Sequence, residues 1–350
     1  MKLVFMTRVL KISETRPQAA KIRVAARAIR SGGLVVFPTE TVYGIGCDAY
    51  NKKATAEIYR VKGRPPDNPL MIHVSDMEMA RRVGRFPRRY EDAIGKLWPG
   101  PVAFVVDAQK GLGRKEVSMR MPDHKVALAL IRASNTPIAA PSANISKKPS
   151  STNADHALMY FDGKVDVIID SGSSMKGIES TILDLRTFAL QRPGALPVNE
   201  LERAFGRRIR IGRASRGLAE SKRAIAPGMK YRHYAPAMPL FLYTGKAEKL
   251  PRMVSGLKGI FAFIGSYESC RRMRKDAIVL GLGSRRDYDA IAHNLFDRLI
   301  ELDRTGADFA IAESYGEEGL GLGIMNRLRK ASNHRQFSNR RELDALLAGI

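Results

Sequence analysis

The sequence predicts an α/β protein, with one large mixed sheet followed by a second, smaller α/β unit. Two patterns carry this. Short β-rich runs alternate with amphipathic helices over the first two hundred residues, at uneven spacing. In the last hundred residues the strand-like runs are continuously apolar, as strands of a parallel sheet covered on both faces are. Taken in order, LVVFPT (34–39), LMIHV (70–74), VAFVVDA (102–108), VSMRM (117–121), IAAPSA (138–143), VDVIID (165–170) and STILDL (180–185) read as strands. Helical periodicity falls on 19–31, 55–62, 125–133 and 154–161. From 207 to 238 the chain turns strongly basic and holds Pro227, Gly228 and Pro236, which reads as a linker. Beyond it LFLYTG, GIFAFIGS and AIVLGL read as strands, 286–303 as a long helix, FAIAES as a strand and 322–331 as a closing helix. The expected division is therefore 1–206, a linker over 207–238, and 239–350.

The composition narrows the function classes. The 350 residues are 44% hydrophobic and 27% charged, which excludes global disorder. The 59 Lys and Arg against 35 Asp and Glu give a net charge of +24, which suits an anionic partner such as nucleotide, phosphate or RNA and equally a basic, soluble surface. Cys47 and Cys270 form no CxxC pair, so neither a disulfide scaffold nor a zinc module is expected, and a reducing cytoplasm is the default compartment. No apolar run approaches the roughly 20 residues of a membrane helix, and the charged start MKLVFMTRVLKIS does not read as a signal peptide.

Chemistry-bearing residues cluster in two places. In FPTETVYGIG, Thr39, Glu40 and Thr41 follow a strand, where polar groups project from a sheet end into a crevice. In IYRVKGRPPDNPLMIHV, Lys62 and Arg64 close a helix beside two prolines, a rigid turn suited to phosphate or carboxylate; the same cations also suit the helix dipole. His73, in an apolar strand, fits a hydrogen-bonded structural role as well as a binding one. APSANISKKPSST (140–152) combines hydroxyls, an amide and two lysines after a strand. That composition fits an oxyanion-binding loop or an ordinary turn with a helix cap at Thr152 or Asn153. GLGLGIM (319–325) leaves no room for the following strand of a dinucleotide fingerprint, so its glycines read as helix packing. No Walker A, HExxH, GxSxG or kinase set is present.

FPTETVYGIG, KGRPPDNPLMIHV, SMRMPDH, APSANISKKPS, GIESTILDL and QRPGAL, in this order, resemble the YrdC-type threonylcarbamoyl-AMP synthase family. PGMKYRHYAP (227–236) and GLGLGIMNRLRKAS (319–332) are similar to the linker and tail of its two-domain form. The resemblance implies an open, twisted mixed sheet around a deep basic cavity, plus a smaller Rossmann-like domain whose linker closes over that cavity. It implies a nucleotidyltransferase activity in which L-threonine, bicarbonate and ATP, with Mg2+, give threonylcarbamoyl-AMP and pyrophosphate. The resemblance further implies that the product serves threonylcarbamoyladenosine formation on adenosine 37 of ANN-decoding tRNAs, through a separate KEOPS-type transferase complex. Carried onto this sequence, the family's KxR and SxN set falls on Lys62, Arg64, Ser142 and Asn144. Threonine recognition falls on Thr41, His73, Arg120, Ala140 and Ser180, and ATP binding on Arg64, Asn68, Glu116, Ser142, Ser150, Arg192, His233 and Tyr234. One departure stands out: where the family commonly has Ser or Thr, four residues before Arg120, this chain has Glu116, whose carboxylate would repel phosphate. Arg120 is expected as a bidentate fork for the threonine carboxylate, and no general base stands out.

Two rival readings make different predictions. A non-catalytic RNA-binding regulator accounts for the charge, but no RRM signature or aromatic-interleaved basic stripe is present. A hydrolase or carbamoyltransferase reusing the cavity would turn over carbamoyl phosphate instead.

Overall fold

The computed structural model describes residues 6–110, 113–219, 234–273 and 277–349. Twelve strands make the first sheet: β1 (Arg8–Lys11), β2 (Val35–Phe37), β3 (Gly44–Asp48), β4 (Ile72–His73), β5 (Gly84–Arg85), β6 (Val102–Ala108), β7 (Glu116–Arg120), β8 (Ile138–Ala139), β9 (Val167–Asp170), β10 (Thr181–Asp184), β11 (Ala189–Arg192) and β12 (Arg210–Ile211). Their order is β1-β9-β2-β3-β8-β4-β7-β6-β10-β11-β12, with β5 on β6. Pairing is mixed: β2 and β3, for example, are antiparallel, whereas β4 and β7 are parallel with His73 opposite Arg120.

Every expected strand of this sheet forms, but most are shorter than the apolar runs. The run at 34–39 ends as strand at Phe37, before Pro38, which has no N–H for the ladder. The run at 138–143 pairs only over Ile138–Ala139 and then opens into a loop. β3, GIGCD, carries no strand signal. At Gly46 an added Cβ would lie 2.5 Å from Ile138 Cγ2 and 2.8 Å from the Phe37 ring, so the glycine lets a side chain from each neighbouring strand close over it. The helices Ala19–Arg30 and Lys125–Ser134 pack against each other and bury Ile22, Ala25, Ile29, Val126, Leu130 and Ile131. Met77–Val83, Glu91–Leu97 and Val198–Phe205 are helices of seven or eight residues, too short for periodicity to announce them.

The second sheet is parallel throughout: β13 (Leu240–Tyr243), β14 (Phe261–Ser266), β15 (Ile278–Gly283), β16 (Phe309–Glu313) and β17 (Gln336–Phe337), in the order β15-β14-β16-β13-β17. Counted within this unit the order is 3-2-4-1-5, whereas a dinucleotide-binding Rossmann sheet runs 3-2-1-4-5. The long helix spans Tyr288–Leu302, capped by Asp287, whose carboxylate accepts the Ala290 N–H at 2.9 Å. Helix Gly321–Ala331 does not close the chain; β17 and helix Arg340–Leu347 follow. Of the stretch read as a linker, residues 220–233 lie outside the described residues, and β12 within it pairs with β11 of the first sheet.

The two units pack tightly. Val42, Ile178 and Ala195 of the first join a core with Leu295, Phe296, Ile324 and Leu328 of the second. A Cβ on Gly177 would come within 2.3 Å of the His293 backbone; within GLGLGIM, one on Gly321 would come within 2.8 Å of the Tyr288 ring and one on Gly323 within 3.1 Å of Gly194 O, so these two glycines serve close packing, whereas Gly319, at φ 55°, meets nothing within 4 Å.

Candidate functional site

The site is built where β2, β3, β4, β7 and the loop after β8 converge. Helix Lys52–Lys62 is started by Asn51, whose side chain accepts the N–H groups of Lys53 and Ala54, and stopped by Gly63 in the left-handed region at φ 58°. That stop aims Lys62 inward. Its Nζ donates to Ser142 O at 2.6 Å and to Asn144 O. Burial, reinforced by Arg64, pushes the Lys62 amine well below the usual lysine range. Arg64 is held by Asn68, with Nε to Asn68 O at 2.9 Å and Nη2 to Asn68 Oδ1 at 2.6 Å, and burial lowers it to about 10. Asn68 is thus the residue that aims Arg64, and it does not itself line the cavity.

The loop after β8 is strapped in place by backbone bonds. Ala143 N–H donates to Tyr43 O at 2.7 Å, Ser146 N–H to Lys62 O at 2.8 Å, and Ala140 N–H to Met71 O at 2.8 Å. Ser142 Oγ donates to Asn144 Oδ1 at 2.6 Å, while Asn144 Nδ2 donates to Ile145 O and Lys148 O, both at 2.8 Å. Helix Ala154–Phe161 follows, capped by Asn153. The loop therefore carries the anticipated cap and, in addition, a rigid rim for the cavity.

Arg120 corrects an expectation. Its fork is not open to both oxygens of an incoming carboxylate, because Nη2 pairs with Glu40 Oε2 and Nη1 donates to Thr41 Oγ1 at 2.6 Å. Both partners of this ion pair are buried. Glu40 Oε1, Arg120 Nε and His73 Nδ1 nevertheless have no hydrogen-bond partner, an arrangement that buried polar atoms avoid unless something else binds there. Burial first, then Arg120, lowers His73 to about 3, so its imidazole is neutral at physiological pH.

The far wall comes from the start of β10, from β11 and from Tyr234 ahead of β13. Arg192 Nη2 donates to Ser180 O at 2.8 Å. Ser150 Oγ donates to Glu179 Oε1 at 2.8 Å, which makes Ser150 a holder of that carboxylate and not a lining residue. Tyr234 enters from the stretch ahead of β13 with φ 65°, a strained setting for a non-glycine residue. Its ring lies 5.1 Å from that of Phe296, and burial, then Glu179, raises its phenol to about 12. Lys147 also takes a positive φ, and its carbonyl accepts the Ala235 N–H at 2.9 Å, which ties this segment to the loop.

Together these residues line one cavity. Thr41, Lys62, Arg64, His73, Arg120, Ala140, Ser142, Asn144, Ser180, Arg192 and Tyr234 all line it. Glu116 does not: its carboxylate pairs with Arg186 at 3.0 Å, so the repulsion expected of it is answered by that cation. His233 lies outside the described residues. The sequence reading missed Tyr43, Lys147 and Glu179 as lining residues, although each stands inside a quoted motif. No group of three His, Cys, Asp or Glu among the described residues is placed to hold a metal ion.

Among the described residues, a cavity lined by Lys62, Arg64, Arg120, Lys147 and Arg192 against the single carboxylate Glu179 defines a two-unit α/β enzyme for small anionic substrates. Residues 27–194 match the family model described as Telomere recombination, and residues 196–333 the one described as Threonylcarbamoyl-AMP synthase, C-terminal domain. The chain is 43% identical over 351 residues to threonylcarbamoyl-AMP synthase of Pyrococcus abyssi, covering 94% of this chain and 99% of that one. It is 37% identical over 338 residues to that of Bacillus subtilis, covering 93% and 96%. Its structure matches the crystal structure of P. abyssi Sua5 complexed with L-threonine at a TM-score of 0.88 and 41% identity, covering 95% and 99% of the two chains. The chain belongs to the threonylcarbamoyl-AMP synthase family.

Proposed function

We infer that the chain joins L-threonine, bicarbonate and ATP into threonylcarbamoyl-AMP with release of pyrophosphate. The observation that carries this is the five-to-one excess of cations over carboxylates among the described residues of the cavity lining. Threonine's amine attacks the bicarbonate carbon and water leaves. The carbamate oxygen then attacks the α-phosphorus, and the bond to the β-phosphate's bridging oxygen breaks. Every partner is anionic, so fixed cations and oriented donors must cancel their repulsion.

Lys62 and Arg64, beside Ser142 and Asn144, are assigned to the phosphates and the carbonate. A polyphosphate arriving at Lys62 supplies the counter-charge that its buried amine lacks. Thr41, His73, Arg120, Ala140 and Ser180 are assigned to threonine, and the partnerless His73 Nδ1 and Arg120 Nε support this. Arg192, held to Ser180, and Tyr234 are assigned to the nucleotide; Asn68 and Ser150 act through Arg64 and Glu179. Positioning of this kind supplies on the order of 7 kcal/mol of a barrier. Magnesium enters as part of the Mg·ATP substrate, where it keeps its waters and phosphate ligands. Tyr234, buried at the junction of the units, closes the cavity against water.

Two wider assignments belong to this reading. The first is RNA contact, supported by exposed Arg88, Arg89, Arg203, Arg207 and Arg208. Arg89 lies over Tyr90 at 4.9 Å and Arg207 over Phe188 at 4.6 Å, which holds both guanidiniums flat. The second is delivery of the product to a KEOPS-type transferase complex in the cytoplasm. Two free cysteines are consistent with that compartment, and no helix among the described residues is long and apolar enough to cross a membrane. We also read the chain as a catalytic domain (1–206), a linker (207–238) and a C-terminal domain (239–350). The deciding experiment is pyrophosphate release from ATP with and without threonine and bicarbonate. Dependence on both supports the assignment. Indifference to threonine overturns it, turnover of carbamoyl phosphate favours a carbamoyltransferase, and salt-sensitive RNA binding alone favours a regulator.

A further inference from the structure

Glu179 is out of place in a cavity for anions: it is buried, it lines the wall, and it is the one carboxylate there among the described residues. What makes it tolerable comes from the other unit. Arg327, on helix Gly321–Ala331, is fully buried and reaches across the junction. Its Nε and Nη2 donate to Glu179 Oε2 at 3.0 and 2.9 Å, and its Nη1 donates to Pro193 O and, at 3.2 Å, to Gly323 O. The other oxygen of Glu179 accepts the Ser150 hydroxyl. Burial alone would raise the Glu179 carboxyl, but Arg327, Arg192 and Ser150 outweigh it and hold it at about 2. The Arg327 guanidinium also lies 5.8 Å from the centre of the Tyr234 ring. It does not itself line the cavity.

We propose that Arg327 is a positioning residue for the nucleotide: from the second unit it neutralises Glu179 behind the cavity wall. Arg192 and Tyr234, which line the cavity, can then face an anion instead of a bare carboxylate. The proposal rests on the reading of this cavity as the ATP site. Its physical basis is the cost of an unbalanced buried charge. Without Arg327, the carboxylate of Glu179 repels incoming phosphate and draws on Arg192, the cavity cation that already acts on it. Docking of the second unit and nucleotide binding are then linked, each favouring the other by the same factor.

The test uses the full chain and reads ATP and threonine dissociation constants by titration calorimetry. Arg327→Met keeps the bulk and removes the charge. It should weaken ATP at least tenfold while leaving threonine within about threefold. Adding Glu179→Gln to Arg327→Met removes the unbalanced charge, so the double variant should regain most of the lost ATP affinity. Arg327→Lys, which keeps the charge and loses the fork, should fall between the two and serves if the methionine variant does not fold. Unaltered ATP affinity in the folded methionine variant, equal loss of both ligands, or no rescue by Glu179→Gln would each overturn the coupling. If only the lysine variant folds, wild-type ATP affinity or an equal loss of both ligands in it overturns the proposal. A wild-type chain that binds no ATP overturns the reading of the cavity itself.

Discussion

The two units treat the ends of their strands in opposite ways. In a parallel α/β sheet the crevice at the carboxyl ends of the strands is the usual ligand site. In the second unit that place is closed from within. Glu313, at the end of β16, accepts the Ser266 N–H at 2.7 Å and the Ser269 hydroxyl at 2.6 Å, and it also pairs with Arg285. In the first unit the polar groups near the ends of β4 and β7 stay incomplete, with Glu40 Oε1, His73 Nδ1 and Arg120 Nε all buried without a partner. A layout associated with binding is therefore not enough. In the first unit the polar groups at this place are left unfinished, whereas at the end of β16 Glu313 is finished by Ser266, Ser269 and Arg285.

Substitution of Lys62 should separate the units most sharply. Lys62→Met removes the amine that two loop carbonyls aim into the cavity. Loss of one such fixed donor in a water-poor site costs about 10²–10³ in kcat, so steady-state pyrophosphate release should fall by that order. A variant with wild-type kcat would mean that the cavity's charge is not what brings the reactants together.

Glu313→Gln should do the reverse. The amide cannot serve every donor the carboxylate now satisfies, and one buried group left unpaired costs about 1–3 kcal/mol. Urea unfolding should therefore show a loss of that size, with kcat per folded molecule unchanged. Specific loss of turnover at full stability would place a function in the second unit's crevice and break the contrast.

How far the sequence announced this contrast differs from residue to residue. Lys62 and Arg64 were legible because a helix that must stop before two prolines puts its last cations on a fixed turn. The loop after β8 was legible as a polar run following an apolar one. The Glu40–Arg120 pair was not, since its members stand 80 residues apart and periodicity carries no record of which strands become neighbours. β3 was hidden because two of its five residues are glycines, chosen for close approach and not for burial of a side chain. The internal closure at Glu313 was hidden for a related reason: a carboxylate at a strand end reads the same whether it meets a ligand or Ser266, Ser269 and Arg285.

The neutral His73 offers a finer probe through pH. Its folded value, about 3, lies below the ordinary 6.5, so below pH 6.5 the unfolded chain takes up a proton that the folded chain refuses. Stability from this group is complete above pH 6.5 and declines as the pH falls towards 3, by up to about 1.4 kcal/mol per unit. Between pH 7 and 5, wild type should lose about 1–2 kcal/mol more than His73→Gln in urea unfolding. His124, lowered to about 4, adds the same trend to both chains and cancels in the difference. Identical pH profiles would mean that His73 is not held neutral, and the cavity would then have one more cation than this account gives it.

The smallest effect belongs to Glu116, the residue that departs from the family pattern. If its carboxylate stood among the phosphates, Glu116→Gln would tighten ATP strongly by removing repulsion. Instead it sits outside the cavity, with one carboxylate oxygen on Arg186, and Arg186 keeps Asp184 at 2.8 Å whether or not Glu116 is charged. A partly exposed pair of this kind is worth about 1 kcal/mol or less. The KM for ATP in Glu116→Gln should therefore stay within about threefold of wild type. A tenfold drop would show that the nucleotide extends along β7 beyond the enclosed space, and the boundary drawn here between the unfinished cavity and its finished surroundings would have to move outward to include Glu116 and Arg186.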